Sequence, residues 1–329
     1  MDKIRIDFVD FWKGFDKNDN FFISLLRQMY GSDRIEISNE PDYLFYSCFG
    51  NKNLRYTECV KICYVAENIV PDFNLCDYAI GVHDITFSDR YLWFPLYLQK
   101  EYRDSYELAV KRGPGSKDRK FCCFVISNAL GSPMRDKLIN EIEGYKKPDS
   151  GGRYKNNVGG PVKDKIDFLR GYKFNLCIEN SSAPGYTTEK LIEGFAGGGI
   201  PIYWGDPDIG KKFNTKAFLN CMEYDDTVKV IQRIKELDQN DALYEEMLSQ
   251  PIFAPGADRG EKELNERLLE DFLRNIFDQD RALAKRVNSI YVGRRYTMKM
   301  KKLAPALDIY RFLERCSGYL YNKRKQHNG

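Results

Sequence analysis

Apolar residues recur along the first hundred positions in two interleaved rhythms. Ile4-Arg-Ile-Asp-Phe-Val-Asp-Phe alternates with period two, the pattern of a half-buried strand. Phe21-Phe-Ile-Ser-Leu-Leu-Arg-Gln-Met-Tyr carries its apolar residues at helical spacing and stops at Gly31. Tyr43-Leu-Phe-Tyr-Ser-Cys-Phe, Val60-Lys-Ile-Cys-Tyr-Val and Tyr78-Ala-Ile-Gly-Val read as further strands. Strands alternating with helices predict a parallel sheet under helical cover. The polar stretch Lys111-Arg-Gly-Pro-Gly-Ser-Lys-Asp-Arg-Lys then suits a linker.

Beyond it the rhythm resumes. Phe121-Cys-Cys-Phe-Val-Ile-Ser is uniformly apolar, as a strand covered on both faces should be. A helix over 133–145 and a Gly-rich loop through Ser150-Gly-Gly-Arg follow. Strand Tyr172-Lys-Phe-Asn-Leu-Cys-Ile-Glu, a helix over 187–195 and strand Ile200-Pro-Ile-Tyr-Trp complete a βαβ unit, and helices dominate after residue 225. The pattern predicts an α/β fold of two Rossmann-like halves with a cleft between them. We place them at 1–115 and 116–280, ahead of a basic, aromatic tail over 281–329.

Composition narrows the chemistry. With 329 residues, 43% hydrophobic and 30% charged, the chain can build two sizeable cores. Charges interrupt its N-terminal apolar residues, so no signal peptide or anchor is expected there. No stretch approaches the ~18 uncharged apolar residues that span a bilayer. A cytoplasmic location is the expectation. The nine cysteines are scattered, form no Cys-x-x-Cys pair and read as buried free thiols. Only His83 and His327 are available as histidines, so proton transfer falls to carboxylates, lysine or tyrosine. Residues 281–329 hold thirteen Lys/Arg against two Asp/Glu, while the whole chain is only +3. A basic end thus follows an acidic body.

The segment with most chemistry in it is Phe174-Asn-Leu-Cys-Ile-Glu-Asn-Ser-Ser-Ala-Pro-Gly-Tyr-Thr-Thr-Glu-Lys. A buried strand ends in Glu179 and Asn180, and a helix opens after a Pro-Gly loop. Ligands collect beyond the carboxyl ends of such strands, where a new helix turns its free N–H groups outward. Thr187 or Thr188 suits its N-cap. Lys190 adds a positive charge where the helix dipole favours an acid. It serves either a bound phosphate or a neighbouring surface carboxylate. Asp206-Pro-Asp208 lies between two turns and reads as turn chemistry, not as a metal site.

This run, followed by Ile200-Pro-Ile-Tyr-Trp-Gly, resembles the signature of the α-1,3/4-fucosyltransferases, especially bacterial members of the Helicobacter type. Val65-Ala-Glu-Asn, Asp77-Tyr-Ala-Ile-Gly, Val125-Ile-Ser-Asn and the following Arg135 extend the resemblance over about residues 60–220. It implies a GT-B glycosyltransferase, with the acceptor domain first and the GDP-fucose domain second. Carried over by position, Arg135 and Lys190 correspond to cations on the diphosphate, with Ser127 and Asn128 beside them. Asn180, Tyr186 and Glu189 correspond to donor-binding positions, Glu189 also to a catalytic one. Glu67 corresponds to the catalytic base; read from its neighbours alone it is a helix-end or surface acid. Ser181-Ser-Ala-Pro departs from a family loop often richer in Gly and Tyr.

The resemblance implies an inverting α-1,3-fucosyltransferase, with GDP-fucose as donor and no metal or other cofactor. Its acceptor would be the GlcNAc of an N-acetyllactosamine-type glycan on an oligosaccharide or glycolipid, giving a Lewis-x-type product. Such a product suits lipopolysaccharide or capsule decoration. The alternatives are α-1,4 or mixed linkage, another GT-B transferase, or a non-enzyme binding membrane or nucleic acid through its basic end. No nucleic-acid module precedes that end, so nucleic acid is not expected as a partner. The tail either rests peripherally on an anionic inner membrane face, stands in solvent, or packs back as a helix on the first domain.

Overall fold

The computed structural model describes residues 3–113, 118–257, 261–287 and 292–327, and side chains within 261–266, 311–312 and 314–327 are left aside. The chain forms two compact units. Met1–Phe94 and Glu263–Ser317 make the first, and Pro95–Lys262 with Gly318–Gly329 the second.

The first unit opens with β1 (Ile4–Val9), α1 (Phe21–Tyr30), β2 (Ile35–Ile37) and β3 (Tyr43–Tyr46). It continues with β4 (Val60–Val65), β5 (Tyr78–Gly81) and β6 (Tyr91–Trp93). The six strands pair in parallel in the order β2-β1-β3-β4-β5-β6. Helix α1 starts where Asn20 accepts from Ile23 N and ends at Gly31 (φ 93°), whose conformation suits glycine. Its Phe22, Ile23 and Leu26 pack on Ile6, Phe8, Phe45 and Tyr64 of one sheet face.

The second unit contains α2 (Arg103–Val110), β7 (Lys120–Phe124), α3 (Pro133–Glu143), β8 (Asp149–Ser150), α4 (Lys165–Arg170) and β9 (Tyr172–Ile178). It continues with α5 (Glu189–Ala196), β10 (Ile200–Trp204), β11 (Leu219–Asn220), α6 (Thr227–Gln239) and α7 (Asp241–Leu248). Its strands are also parallel, in the order β11-β10-β9-β7-β8. Counted within the unit this is the doubly wound order 2-1-3-4-5, and the direction in which successive strands are laid across the sheet reverses between β7 and β9. Leu138, Ile139 and Ile142 of α3 and Val230 and Ile234 of α6 cover one face. Leu191, Ile192 and Phe195 of α5 pack in the core beside Cys177 and Tyr203 of β9 and β10.

The chain then returns to the first unit through α8 (Glu261–Phe277), α9 (Arg281–Ala284) and α10 (Val292–His327). Leu269, Phe272, Leu273, Ile276 and Ala284 are buried among the strands of the first sheet. Two sequence expectations are corrected here. The division at 115 moves to about residue 95, because Tyr97, Leu98, Tyr106 and Ala109 pack with Ile192, Phe195 and Phe213 in the second unit. The expected linker lies partly outside the described residues. Its Arg112 donates to the carbonyls of Ala217 and Gln250 and lies over the Phe195 ring, which ties it to the second unit.

Nor is 281–329 a separate tail. Val287 N donates to Asp77 Oδ1 at 2.6 Å, Arg286 reaches Tyr78 Oη and Asp89, and Arg281 pairs with Asp42. Met300, Ala304 and Leu307 of α10 pack on Leu54 and Leu75, and Tyr296 donates to Asp72. Of the three readings for this segment, residues 281–287 and 292–307 follow packing on the first unit. Seven of the described cysteines are buried free thiols, and Cys48 is half-buried. Burial pushes the Cys59 thiol up to about 11 and Cys177 to about 12.

Leu273→Ala is therefore expected to destabilise the protein by about 2–5 kcal/mol, because it opens a cavity in the first unit's core. Urea unfolding checks this. A loss below about 0.5 kcal/mol, the scale of a surface substitution, would mean α8 is not part of that core.

Candidate functional site

The carboxyl ends of β7 and β9, the adjacent strands at which the second sheet reverses, gather most of the residues singled out from sequence. After β7 come exposed Ser127 and Asn128, and Asn128 accepts from Leu130 N at 2.9 Å to close an Asx turn. Helix α3 begins after Ser132, whose hydroxyl accepts from Met134 N. Ser132 N donates to Asn180 O at 2.8 Å, joining the start of α3 to the end of β9.

Arg135 sits in the first turn of α3. It is 1% exposed, yet it is in no ion pair among the described residues. Its guanidinium donates to Ala129 O at 2.7 Å, lies over the Tyr154 ring, and leaves Nε buried without a partner. Burial lowers its pKa, opposed by Asp136 and Tyr154. A Cβ at Gly131 would sit 2.5 Å from Arg135 Nη1, so glycine is what lets the guanidinium lie against this loop. A buried cation outside any ion pair is a place where an anion is stabilised strongly.

Glu179 follows β9 and is fully buried. Its carboxylate accepts from Thr188 N at 2.8 Å, from the Thr188 hydroxyl at 2.7 Å and from Lys190 Nζ at 2.9 Å. Lys190 also reaches Thr188 Oγ1 at 2.9 Å and Glu189 at 3.6 Å. Burial would lower the Lys190 pKa, but Glu179 and Glu189 hold it above the ordinary lysine value. Glu189 is the converse: burial would raise it, and Lys190 and Lys165 hold it below the usual carboxylate range.

These contacts revise the expected helix terminus. Helix α5 begins at Glu189, and neither threonine caps it. Thr188 occupies the cap position but makes no capping hydrogen bond, and the Thr187 hydroxyl donates to Asp206 Oδ2 at 2.9 Å. The terminus thus faces a resident carboxylate, and Lys190 is paired with buried Glu179, not with a surface acid. Asp206 is buried too and accepts from Gly185 N, Asp208 N and Thr187, which fixes the loop carrying buried Tyr186. Sequence reading saw Glu179 as a polar strand end and Asp206 as turn chemistry. It missed that both hold this loop. A Cβ at Gly205 would sit 2.4 Å from Glu179 Cγ, a close approach that only the fold reveals.

The structure therefore brings Ser127, Asn128, Arg135, Asn180, Tyr186, Glu189 and Lys190 to one end of the second unit's sheet. Glu67 belongs to the first unit, half-buried just after β4. Its backbone carbonyl accepts from Ile69 N at 2.7 Å, making a tight turn around Asn68. Asn68 Oδ1 faces His83 Nε2 at 2.7 Å, which cross-braces the loops after β4 and β5. Burial lowers the His83 pKa. Among the described residues no group of three or more His, Cys, Asp or Glu side chains is arranged to hold a metal ion.

Comparison with known proteins gives a consistent result. The family model for the "Alpha-(1,3)-fucosyltransferase FucT N-terminal domain" matches residues 6–100. The model for "Glycosyltransferase family 10 (fucosyltransferase) C-term" matches residues 115–249. The chain is 32% identical over 289 residues to the alpha-(1,3)-fucosyltransferase FucT of Helicobacter pylori, spanning 74% of this chain and 59% of that protein. It is 30% identical over 131 residues to the human 4-galactosyl-N-acetylglucosaminide 3-alpha-L-fucosyltransferase 9, spanning 38% of this chain and 35% of the relative. A crystal structure of an alpha1,3-fucosyltransferase with GDP-fucose superposes with a TM-score of 0.66 at 27% identity, over 84% of this chain and 91% of that one.

Two outcomes follow from the paired charges. Glu179→Gln is expected to cost about 3 kcal/mol in urea unfolding at pH 7, since it leaves Lys190 without its buried counter-ion; a loss under about 0.5 kcal/mol would count against the pairing. The depressed Glu189 carboxyl contributes stability above its unfolded pKa of about 4.3. That contribution is lost as pH falls through the lower folded value. The stability gap between wild type and Glu189→Gln should therefore narrow between pH 7 and pH 3, and a constant gap would contradict the sign.

Proposed function

The chain belongs to glycosyltransferase family 10, the fucosyltransferases, and from that premise we propose that it is an inverting α-1,3-fucosyltransferase using GDP-fucose. Its acceptor in this reading is a 4-galactosyl-N-acetylglucosamine unit of an oligosaccharide or glycolipid. The observation that carries the proposal is buried Arg135, a guanidinium in no ion pair among the described residues, at the reversal point of the second sheet. A departing nucleoside diphosphate gains negative charge as the glycosyl bond breaks. Fixed donors aimed at that charge stabilise the transition state more than the ground state.

In this reading the buried Arg135 guanidinium, whose Nε has no hydrogen-bond partner among the described residues, supplies the diphosphate with a fixed positive charge. Lys190 stands second to it, because part of its charge is already balanced by Glu179. Ser127 and Asn128 supply exposed polar groups beside the phosphates, while Asn180, Tyr186 and Glu189 take the sugar and nucleotide. Glu67 removes the proton from the attacking acceptor hydroxyl, a role suited to a half-buried carboxylate. Divalent metal is not required. The exposed side of α10, with Arg294, Arg295, Lys299, Lys301 and Lys302 beside Met298 and Leu303, suits peripheral contact with an anionic membrane at the cytoplasmic face. No helix among the described residues is long and apolar enough to cross a membrane.

Product analysis with GDP-fucose and paired type 1 and type 2 disaccharides tests the activity. Fucose on O3 of the type 2 GlcNAc, undiminished by EDTA, is expected; absence of transfer, or strict metal dependence, would overturn the corresponding part. Arg135→Ala should raise the GDP-fucose KM and lower kcat, together by about a hundredfold in kcat/KM. Glu67→Gln should abolish turnover while GDP binding persists in calorimetry. Retained turnover would remove Glu67 from the base role.

A further inference from the structure

The first sheet has a reversal point of its own, between β1 and β3, and aromatic rings gather at its carboxyl end. Trp12 follows β1 and Phe49 follows β3. They are 43% and 38% exposed, with ring centroids 6.5 Å apart and planes at 83°. Behind them Trp12 packs edge-on to Phe11 and Phe15, and Phe11 and Phe15 stack at 4.0 Å. The exposed pair is thus the outer edge of a half-buried aromatic cluster that packs on the core of the first unit.

The backbone there is strained in order to hold it. Asp10, between β1 and Trp12, has φ 61°, a left-handed conformation unfavourable for a non-glycine residue. Three hydrogen bonds offset that cost. Asp10 O accepts from Phe49 N at 2.9 Å, and its carboxylate accepts from Lys52 N at 2.9 Å and Asn53 N at 2.8 Å. A Cβ at Gly50 would sit 1.9 Å from Asp10 Oδ1, so the second loop is also shaped around this clamp. Asp10 therefore locks the loops after β1 and β3 together and sets Trp12 beside Phe49.

The two reversal points differ in chemistry. In the second unit the corresponding place holds a buried guanidinium, fit for phosphate. Here Lys17 is already paired with buried Asp7 at 2.9 Å, and what faces outward is aromatic, set among polar Lys13 and Asn51. A pyranose matches that surface: one face is a patch of C–H bonds attracted to the negative face of an aromatic ring, and its rim carries hydroxyls. We propose that the Trp12–Phe49 pair is a platform for a pyranose ring of the acceptor glycan. This rests on the transferase reading above and adds to it the residues that seat the acceptor.

Trp12→Ala and Phe49→Ala in the full chain test it, with the methyl glycoside of 4-galactosyl-N-acetylglucosamine as acceptor. Each is expected to raise the acceptor KM by roughly tenfold while the GDP-fucose KM stays within about twofold. Trp12→Tyr should recover most of the loss. Saturation-transfer NMR with the same glycoside needs no turnover: saturation of its ring C–H protons by wild type, and its loss in Trp12→Ala, is expected. Unchanged acceptor KM in the double variant would overturn the platform. So would a parallel rise of both KM values with a lowered Tm, or a change of oligomeric state showing that the rings cover a second copy. Wild type that binds the glycoside yet transfers no fucose would instead sink the transferase reading and leave the platform standing.

Discussion

One buried carboxylate organises the end of the second sheet. Glu179 leaves β9 with no solvent to stabilise its charge, and it is held by a backbone N–H, a hydroxyl and an ammonium. An isolated carboxylate in that position would cost several kcal/mol or give up its ionised form. Because it is satisfied, it fixes where α5 begins, which way Lys190 points and how the loop through Tyr186 closes. Asp206 braces the same loop from β10. The proposed donor groups thus hang from two acids that serve geometry.

The division of charge that results is uneven, and the unevenness is informative. Lys190 spends much of its field on Glu179 and Glu189, whereas Arg135 is held by a carbonyl and an aromatic ring, neither of which neutralises it. Burying a guanidinium this way destabilises the protein on its own. The proposed function supplies a reason to keep it. A cation kept short of partners is ready for an anion that comes and goes.

Much of the fold was legible in the sequence where local signals agree. Val60–Val65, Ile200–Trp204 and Phe21–Tyr30 fall where apolar periodicity and flanking Gly or Asn put them. The three-residue strands Ile35–Ile37 and Tyr91–Trp93 are too short to show a period and were not recovered. The larger miss was the return of the chain. Periodicity shows that a helix has an apolar stripe, but not which sheet the stripe covers, so Leu269, Leu273 and Ile276 gave no hint of belonging with Ile6 and Ile62. At the site the residue types were readable, and Lys190 was suspect because a cation sits awkwardly at a helix start. Its partner was not readable, since Glu179 reaches it only through the loop's tertiary shape.

That return has a consequence during synthesis. The second sheet and its covering helices come from an unbroken stretch of chain, so they can close as soon as residue 250 or so has left the ribosome. The opening strands, although made first, must wait with one apolar side only partly covered by α1 until the helix bearing Leu273 emerges. The order of maturation is therefore the reverse of the order of translation. The interval in which Phe8, Phe45 and Tyr64 lack their full cover is when a nascent copy is most exposed to aggregation.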